Sequence, residues 1–257
     1  MAYGYNDHMR IGAIDAVRLP VLAGRWLNEI LDGDLHQMGY IDDAFRAAAS
    51  APHAFVVQVG AYDGVYDDPL RKHVVESELE GLLIEPRAEP YSRLQALYED
   101  NPRIRTRRVA IGLNAGEVCL RNFRASRGDS DFWDANATTD LAILHGQRLG
   151  HWLMARSIET EPATETVPCL PLVCVLRESG VDPQDITMLV SDTEGQDAEV
   201  VSQLLETGAR PSLILLEHLR LTYMQNRTIN RSLREEGYKL TFTYKDTLAT
   251  RPGLVAT

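Results

Sequence analysis

The stretch Phe55-Val56-Val57-Gln58-Val59-Gly60-Ala61-Tyr62-Asp63-Gly64 decides the fold. A short Val-rich run is read as a buried strand, and it stops at a turn bracketed by two glycines, as a strand does where it enters a βα connection. Working outward, three further blocks repeat the pattern: Leu82-Leu83-Ile84-Glu85-Pro86, Met188-Leu189-Val190-Ser191-Asp192-Thr193-Glu194-Gly195 and Leu213-Ile214-Leu215-Leu216-Glu217-His218. Each is an apolar run that closes on Gly or an acid. Short buried strands alternating with helical periodicity imply βαβ units and a mostly parallel sheet flanked by helices, an α/β fold.

The segments between the blocks fill in the alternation. Tyr91, Leu94, Leu97 and Tyr98 recur at spacings of three and four, giving a helix with one buried stripe. A third strand is expected over 104–111. From Gly112 to about residue 168 the rhythm breaks into an insertion, with a strand at Val118-Cys119-Leu120, a polar stretch from Arg124 to Asp140 and an apolar-periodic piece from Leu141 to Met154. Alternation resumes with a helix opening at Pro171 and capped near Gly180, a strand over 186–191, and a helix burying Ala198, Val201, Leu204 and Leu205. A strand over 212–216, a helix over 228–236 and a closing hairpin turning at Lys245-Asp246 complete the chain. Residues 1–52 are expected to be a helical extension, centred on Val21 to Leu31, serving as a lid, a dimer contact or surface packing. Residues 53–257 form the main domain.

Composition narrows the partners. Twenty-six basic residues stand against 37 acidic ones in 257, a formal charge of -11, which repels nucleic acid and other polyanions. Cys119, Cys169 and Cys174 are odd in number and lack C-x-x-C spacing, so neither a disulfide framework nor a zinc site is indicated, and a reducing cytoplasm suits them. The amino terminus has no basic region followed by an apolar stretch, and no window is long and apolar enough to span a bilayer. The expectation is a soluble, cytoplasmic protein.

In open α/β sheets the ligand lies beyond the carboxyl ends of the strands, where all four blocks end. Gly60 and Gly64 allow the backbone to approach a ligand closely. Glu85 follows Gly64 by 21 residues (85 minus 64) and ends the second strand, where an acid is placed to accept hydrogen bonds from both ribose hydroxyls. These features suggest an adenosine-type ligand. The turn reads G-x-x-x-G and lacks the G-x-G-x-x-G spacing that seats a pyrophosphate, while Asp63 and Asp192 add negative charge. S-adenosylmethionine has no phosphate and carries a sulfonium cation, so acids around it are favourable. The residues prefer the methyl donor to a dinucleotide.

Taken together, the blocks resemble the FkbM-type methyltransferases, whose pattern is roughly an Asp-x-Gly-Ala-x-x-Gly turn, a strand ending Glu-Pro, an Asp-x-Glu-Gly-x-Glu segment and a later strand ending in Glu. The matches are Val59 to Gly64, Glu85-Pro86, Asp192 to Gly195 and Leu213 to Glu217. Two positions depart: Gln58 stands where an acid is common, and Asp197 replaces the second Glu. The resemblance implies a Rossmann-like class I methyltransferase fold with a seven-stranded sheet, S-adenosylmethionine as cofactor, and O-methylation of a small-molecule hydroxyl such as a sugar or secondary metabolite. It implies cofactor contacts from Gly60, Ala61, Asp63, Gly64, Glu85, Pro86, Ala110 and Asp192, with Asp192 and Glu194 in the catalytic region. His218, directly after a strand end, is the expected base for a hydroxyl acceptor. Some related O-methyltransferases hold a divalent metal between acids; nothing in this sequence fixes one, and none is expected. A non-catalytic nucleoside-binding protein and a nicotinamide-dependent oxidoreductase are the competing readings.

Overall fold

A computed structural model describes residues 34–125, 137–139 and 160–254. The helix expected at 21–31, the apolar piece at 141–154 and most of the polar stretch before it lie outside the described residues. Helix α1 (Asp34–Ala49) leads into β1 (Phe55–Val59), α2 (Arg71–Glu76), β2 (Glu80–Ile84), α3 (Ala88–Leu97) and β3 (Ile104–Arg107). Strands β4 (Ala110–Ile111), β5 (Gly116–Ala125) and β6 (Thr160–Leu170) follow, then α4 (Leu172–Glu178), β7 (Met188–Ser191), α5 (Asp197–Glu206) and β8 (Leu213–Glu217). Helix α6 (Tyr223–Glu235) and the hairpin β9 (Lys239–Phe242) and β10 (Asp246–Thr250) close the order.

The main sheet has seven strands in the order β3-β2-β1-β7-β8-β10-β9. Strands β1, β2, β3, β7 and β8 are parallel, and β10 runs antiparallel to both β8 and β9. The chain order reverses between β1 and β7, so the crevice at the ends of those two strands is the switch point of the sheet. Alternation along β1 feeds two cores. Phe55, Val57 and Val59 face a cluster with Leu176 of α4, Leu204 of α5 and Leu233 of α6, whereas Val56 faces Phe45 of α1, Val74 of α2 and Leu94 of α3. Because both faces of the sheet are covered, the central strands are apolar on every residue except Gln58 and the strand-end groups.

Three expectations are corrected. The third strand does not run to Ile111: β3 leaves the main sheet at Arg107, and Ala110–Ile111 pairs in parallel with Cys169 and Leu170 in a second, three-stranded sheet ordered β4-β6-β5. Arg108 is exposed at the break and pairs with Glu165, while Val109 turns into the core. The strand at 118–120 is the middle of β5, which pairs antiparallel with β6 over ten residues from Gly116–Cys169 to Ala125–Thr160. Strand β6 escapes sequence reading because Pro162 and Pro168 interrupt a polar run; they share parity, and β4 pairs only at Cys169 and Leu170, so most of that edge needs no N–H donor. Helix α6 begins five residues earlier than expected, at Tyr223, because Thr222 and Gln225 form a capping box.

Candidate functional site

The turn after β1 is tied to the end of β2. Backbone N–H groups of Gly60 and Ala61 both donate to the carbonyl of Ile84, at 2.9 and 3.0 Å, and the Tyr62 N–H donates to Glu85 Oε2 at 3.1 Å. Gly60 has φ +83°, and a Cβ built on it would lie 1.8 Å from the carbonyl oxygen of Asp192, so the strand ends of β1 and β7 approach at a distance that only glycine permits. Gly64, at φ +72°, is held by packing instead: its Cβ would meet Leu94 and Leu97 of α3. Asp63 Oδ1 accepts from the N–H groups of Val65 and Tyr66, both at 2.9 Å, which makes it the cap of this turn.

Glu85 is 4% exposed, far from the ordinary loop acid its position would suggest. Its Oε1 accepts from the Arg87 N–H at 2.9 Å, Arg87 Nε lies 3.5 Å away, and burial pushes its carboxyl pKa up against the pull of Arg87. Two backbone donors fix the plane of the carboxylate and leave further lone pairs for a diol. Arg87 and Arg93 each place a guanidinium over the Tyr62 ring, 5.3 Å from its centroid. Around these groups lies a cavity of about 430 Å³, within the range of small-molecule sites. Its floor is Gly60, Glu85, Pro86 and Asp192; its apolar wall comes from Val109, Ala110, Ile111 and the second sheet, including Val118, Leu120 and Cys169.

A second cavity, of about 650 Å³, opens on the other side of the same strand ends. The two share Gly60, Tyr62, Asp192 and Glu194. Asp192 projects into the junction from the end of β7, and its carboxylate has no hydrogen bond among the described residues. Its pKa is raised well above the usual carboxylate range, by the surrounding protein first and then by Glu194 and Asp197. Because the side chain is exposed to the cleft, repulsion from those two acids is the firmer cause. Glu194 sits at φ +55° and accepts from Arg220 Nε at 2.9 Å, with burial raising its pKa and Arg220 opposing. Glu217, last residue of β8, is raised well above its ordinary value by burial and by Glu194 and Asp192. Ligand oxygens of Asp192, Glu194 and Glu217 lie within 4.8 Å of one another, a spacing open to a cation.

A model of the methyltransferase FkbM domain matches residues 58–240, most of the chain. The chain belongs to the FkbM methyltransferase family. No curated protein sequence matches it. Among solved structures, methyltransferase FkbM from Methylobacillus flagellatus KT is 15% identical with a TM-score of 0.46, covering 77% of this chain and 43% of that one. The chain therefore spans less than half the length of that structure. The ribosomal protein L11 methylase of Lactobacillus delbrueckii subsp. bulgaricus is 11% identical, covering 84% and 80% of the two chains, with a TM-score of 0.36. The amino-terminal domain of human METTL16 in complex with SAH is 11% identical, covering 84% and 68%, with a TM-score of 0.39.

In this FkbM-family chain the anticipated residues divide between the cavities. Gly60, Glu85, Pro86, Ala110, Asp192 and Glu194 line the smaller one, while Ala61 lines only the larger; Asp63 and Gly64 line neither and shape the turn from behind. His218 departs most from expectation. It is 2% exposed, lines neither cavity, and both ring nitrogens are engaged: Nδ1 with Thr247 Oγ1 at 2.9 Å and Nε2 with the Tyr244 carbonyl at 3.3 Å. These two contacts fasten the end of β8 to the closing hairpin, so the structure places His218 away from the cavities where the other anticipated residues gather. Gln58 faces the larger cavity, away from the smaller, with its Nε2 donating to Asp68 at 3.1 Å. Asp197, fully buried, accepts from Ser191 Oγ at 2.7 Å and from the N–H groups of Thr193 and Gly195, so it holds the Asp192–Glu194 loop in shape. Sequence reading missed Arg87, Arg220, Lys245 and Asp246. Arg220 stands three residues beyond a strand-end acid, but only tertiary packing turns it toward Glu194.

Proposed function

We propose that the chain transfers a methyl group from S-adenosylmethionine to a hydroxyl oxygen of a small molecule. The observation that carries this reading is the pair of cavities meeting at Gly60, Asp192 and Glu194, one of a size and lining for the donor, the other for an acceptor. Family membership supports the donor, and the METTL16 neighbour was solved with SAH. In this reading Glu85 would accept hydrogen bonds from the ribose hydroxyls, the second sheet would cover the adenine, and the acids at the junction would favour the sulfonium charge. The acceptor oxygen attacks the methyl carbon in line: a C–O bond forms, the C–S bond breaks with its electron pair going to sulfur, and the neutral thioether S-adenosylhomocysteine leaves. The hydroxyl proton passes to Asp192, whose carboxylate stands at the junction of the two cavities with no hydrogen bond of its own among the described residues. Alignment supplies most of the acceleration, a contribution that reaches about 7–11 kcal/mol when reactants are well oriented.

Calorimetric titration with S-adenosylhomocysteine, NAD and NADP tests the donor assignment. Saturable binding of the homocysteine compound alone is expected, with Glu85→Ala weakening it by about tenfold or more, as when a buried hydrogen-bonding partner is removed. Binding of the dinucleotides alone would overturn the reading in favour of an oxidoreductase.

A further inference from the structure

The larger cavity holds a pattern that bears on its ligand, granted the reading of it as the acceptor site. Three buried side-chain oxygens in its wall have no hydrogen-bond partner: Gln58 Oε1, Asp68 Oδ2 and Glu217 Oε2. Gln58 and Glu217 are 4% and 5% exposed. All three are acceptors, and no unpartnered buried donor lines the cavity among the described residues. A buried acceptor left without a donor costs about 1–3 kcal/mol, so the cavity is complementary to a molecule that brings N–H or O–H groups.

Charge points the same way. Asp68, Asp192 and Asp246 line this cavity and make no ion pair among the described residues. The two cations in the wall are already engaged, Lys245 with Asp67 and Arg220 with Glu194, the latter also 4.0 Å from Glu217. A phosphate or carboxylate in this space would face uncompensated like charge. A positive group would be stabilised where Asp192, Glu194 and Glu217 bring oxygens within 4.8 Å of one another.

We propose that the acceptor is an amine-bearing polyhydroxy compound, its protonated amine seated among Asp192, Glu194 and Glu217 and its hydroxyl donors meeting Gln58 and Asp68. A bare metal ion would satisfy the three carboxylates but leave Gln58 Oε1 and Asp68 Oδ2, outside that trio, without donors. An organic cation with several hydroxyls meets both ends of the cavity. The ammonium is the anchor, and a neighbouring hydroxyl is the nucleophile. Burial and mutual repulsion that raise Asp192 and Glu217 would be relieved by a cation between them.

The test uses three sugars of one skeleton and different charge. Glucosamine, glucose and glucose 6-phosphate are titrated by NMR into the full chain saturated with S-adenosylhomocysteine, whose own binding checks the donor reading separately. Glucosamine is expected to bind at least about tenfold more tightly than glucose, as a desolvated charge pair allows, with glucose 6-phosphate weakest. In Glu217→Gln, which keeps the shape and removes a buried charge, the preference for the amine is expected to collapse while homocysteine-compound affinity holds and the melting temperature does not fall. Equal or tighter binding of glucose 6-phosphate, no preference for glucosamine (including no binding by any sugar), or displacement of glucosamine by saturably bound MgCl₂ would each overturn the assignment.

Discussion

At the scale of single residues, the site is decided by groups whose chemistry is common but whose surroundings are not. His218 looks like a base in the sequence because it follows a strand end; in the fold it is a hairpin fastener. His218→Ala is expected to lower stability by about 1–3 kcal/mol, through two lost hydrogen bonds and a void, yet to leave S-adenosylhomocysteine affinity unchanged. Thermal melting and titration of one variant separate the two; unchanged melting with lost turnover would restore it as a base. Asp246 carries a different signature. Burial lifts its carboxyl to about 6, with Lys245 pulling the other way. The folded pKa thus lies above the ordinary value of 3.8, so the protonated form is the one the fold favours. The stability that protonation supplies is full below 3.8 and is lost as pH rises through 6. Asp246→Asn, which mimics the protonated form, is therefore expected to stabilise the chain by about 1–3 kcal/mol at pH 8 and by progressively less from pH 6 down to pH 4, read from melts across that range.

At the scale of elements, helix α6 shows how a short motif outweighs hydrophobic periodicity. Its first turn, Tyr223 to Asn226, buries no apolar side chain, so the buried stripe starts only at Ile229, but Thr222 Oγ1 accepts from the Gln225 N–H at 3.3 Å and Gln225 Oε1 accepts from the Thr222 N–H at 2.9 Å. The T-x-x-Q spacing was there to be read. Thr222→Ala is expected to cost about 1 kcal/mol, measurable as a shift of the denaturant midpoint without change of slope. Strand β6 is the opposite case. Its two prolines and polar residues carry no strand signal, and its existence depends on a ten-residue partner, β5, more than thirty positions away in the chain. Long-range pairing of this kind leaves no local trace, because what stabilises a strand is the neighbour beside it.

At the scale of the whole molecule, the two cavities meet along one row of strand ends and share Gly60, Tyr62, Asp192 and Glu194. The smaller cavity, proposed for the donor, is assembled from β1, β2, β7 and the second sheet, elements that come together only in the folded chain. S-adenosylhomocysteine is therefore expected to stabilise by mass action, by about 2.7 kcal/mol at a concentration 100 times its dissociation constant, seen as a rising melting temperature; a flat response would argue against a preformed donor site. No helix of the described residues is long and apolar enough to cross a membrane. What the sequence determined by itself was local: four apolar runs ending in Gly or acid are enough to dictate a mostly parallel α/β sheet and the strand-end positions of Gly60, Glu85 and Asp192. Strand identity depends on side-chain hydrophobicity, which each residue carries alone. Only the tertiary structure decided that His218 is enclosed, that Asp197 is a brace for the Asp192 loop, and that Gln58, Asp68 and Glu217 share one cavity. Those outcomes depend on which groups approach within a few ångströms across β1, β7, β8 and β10, and burial and charge act at that distance whatever the separation along the chain.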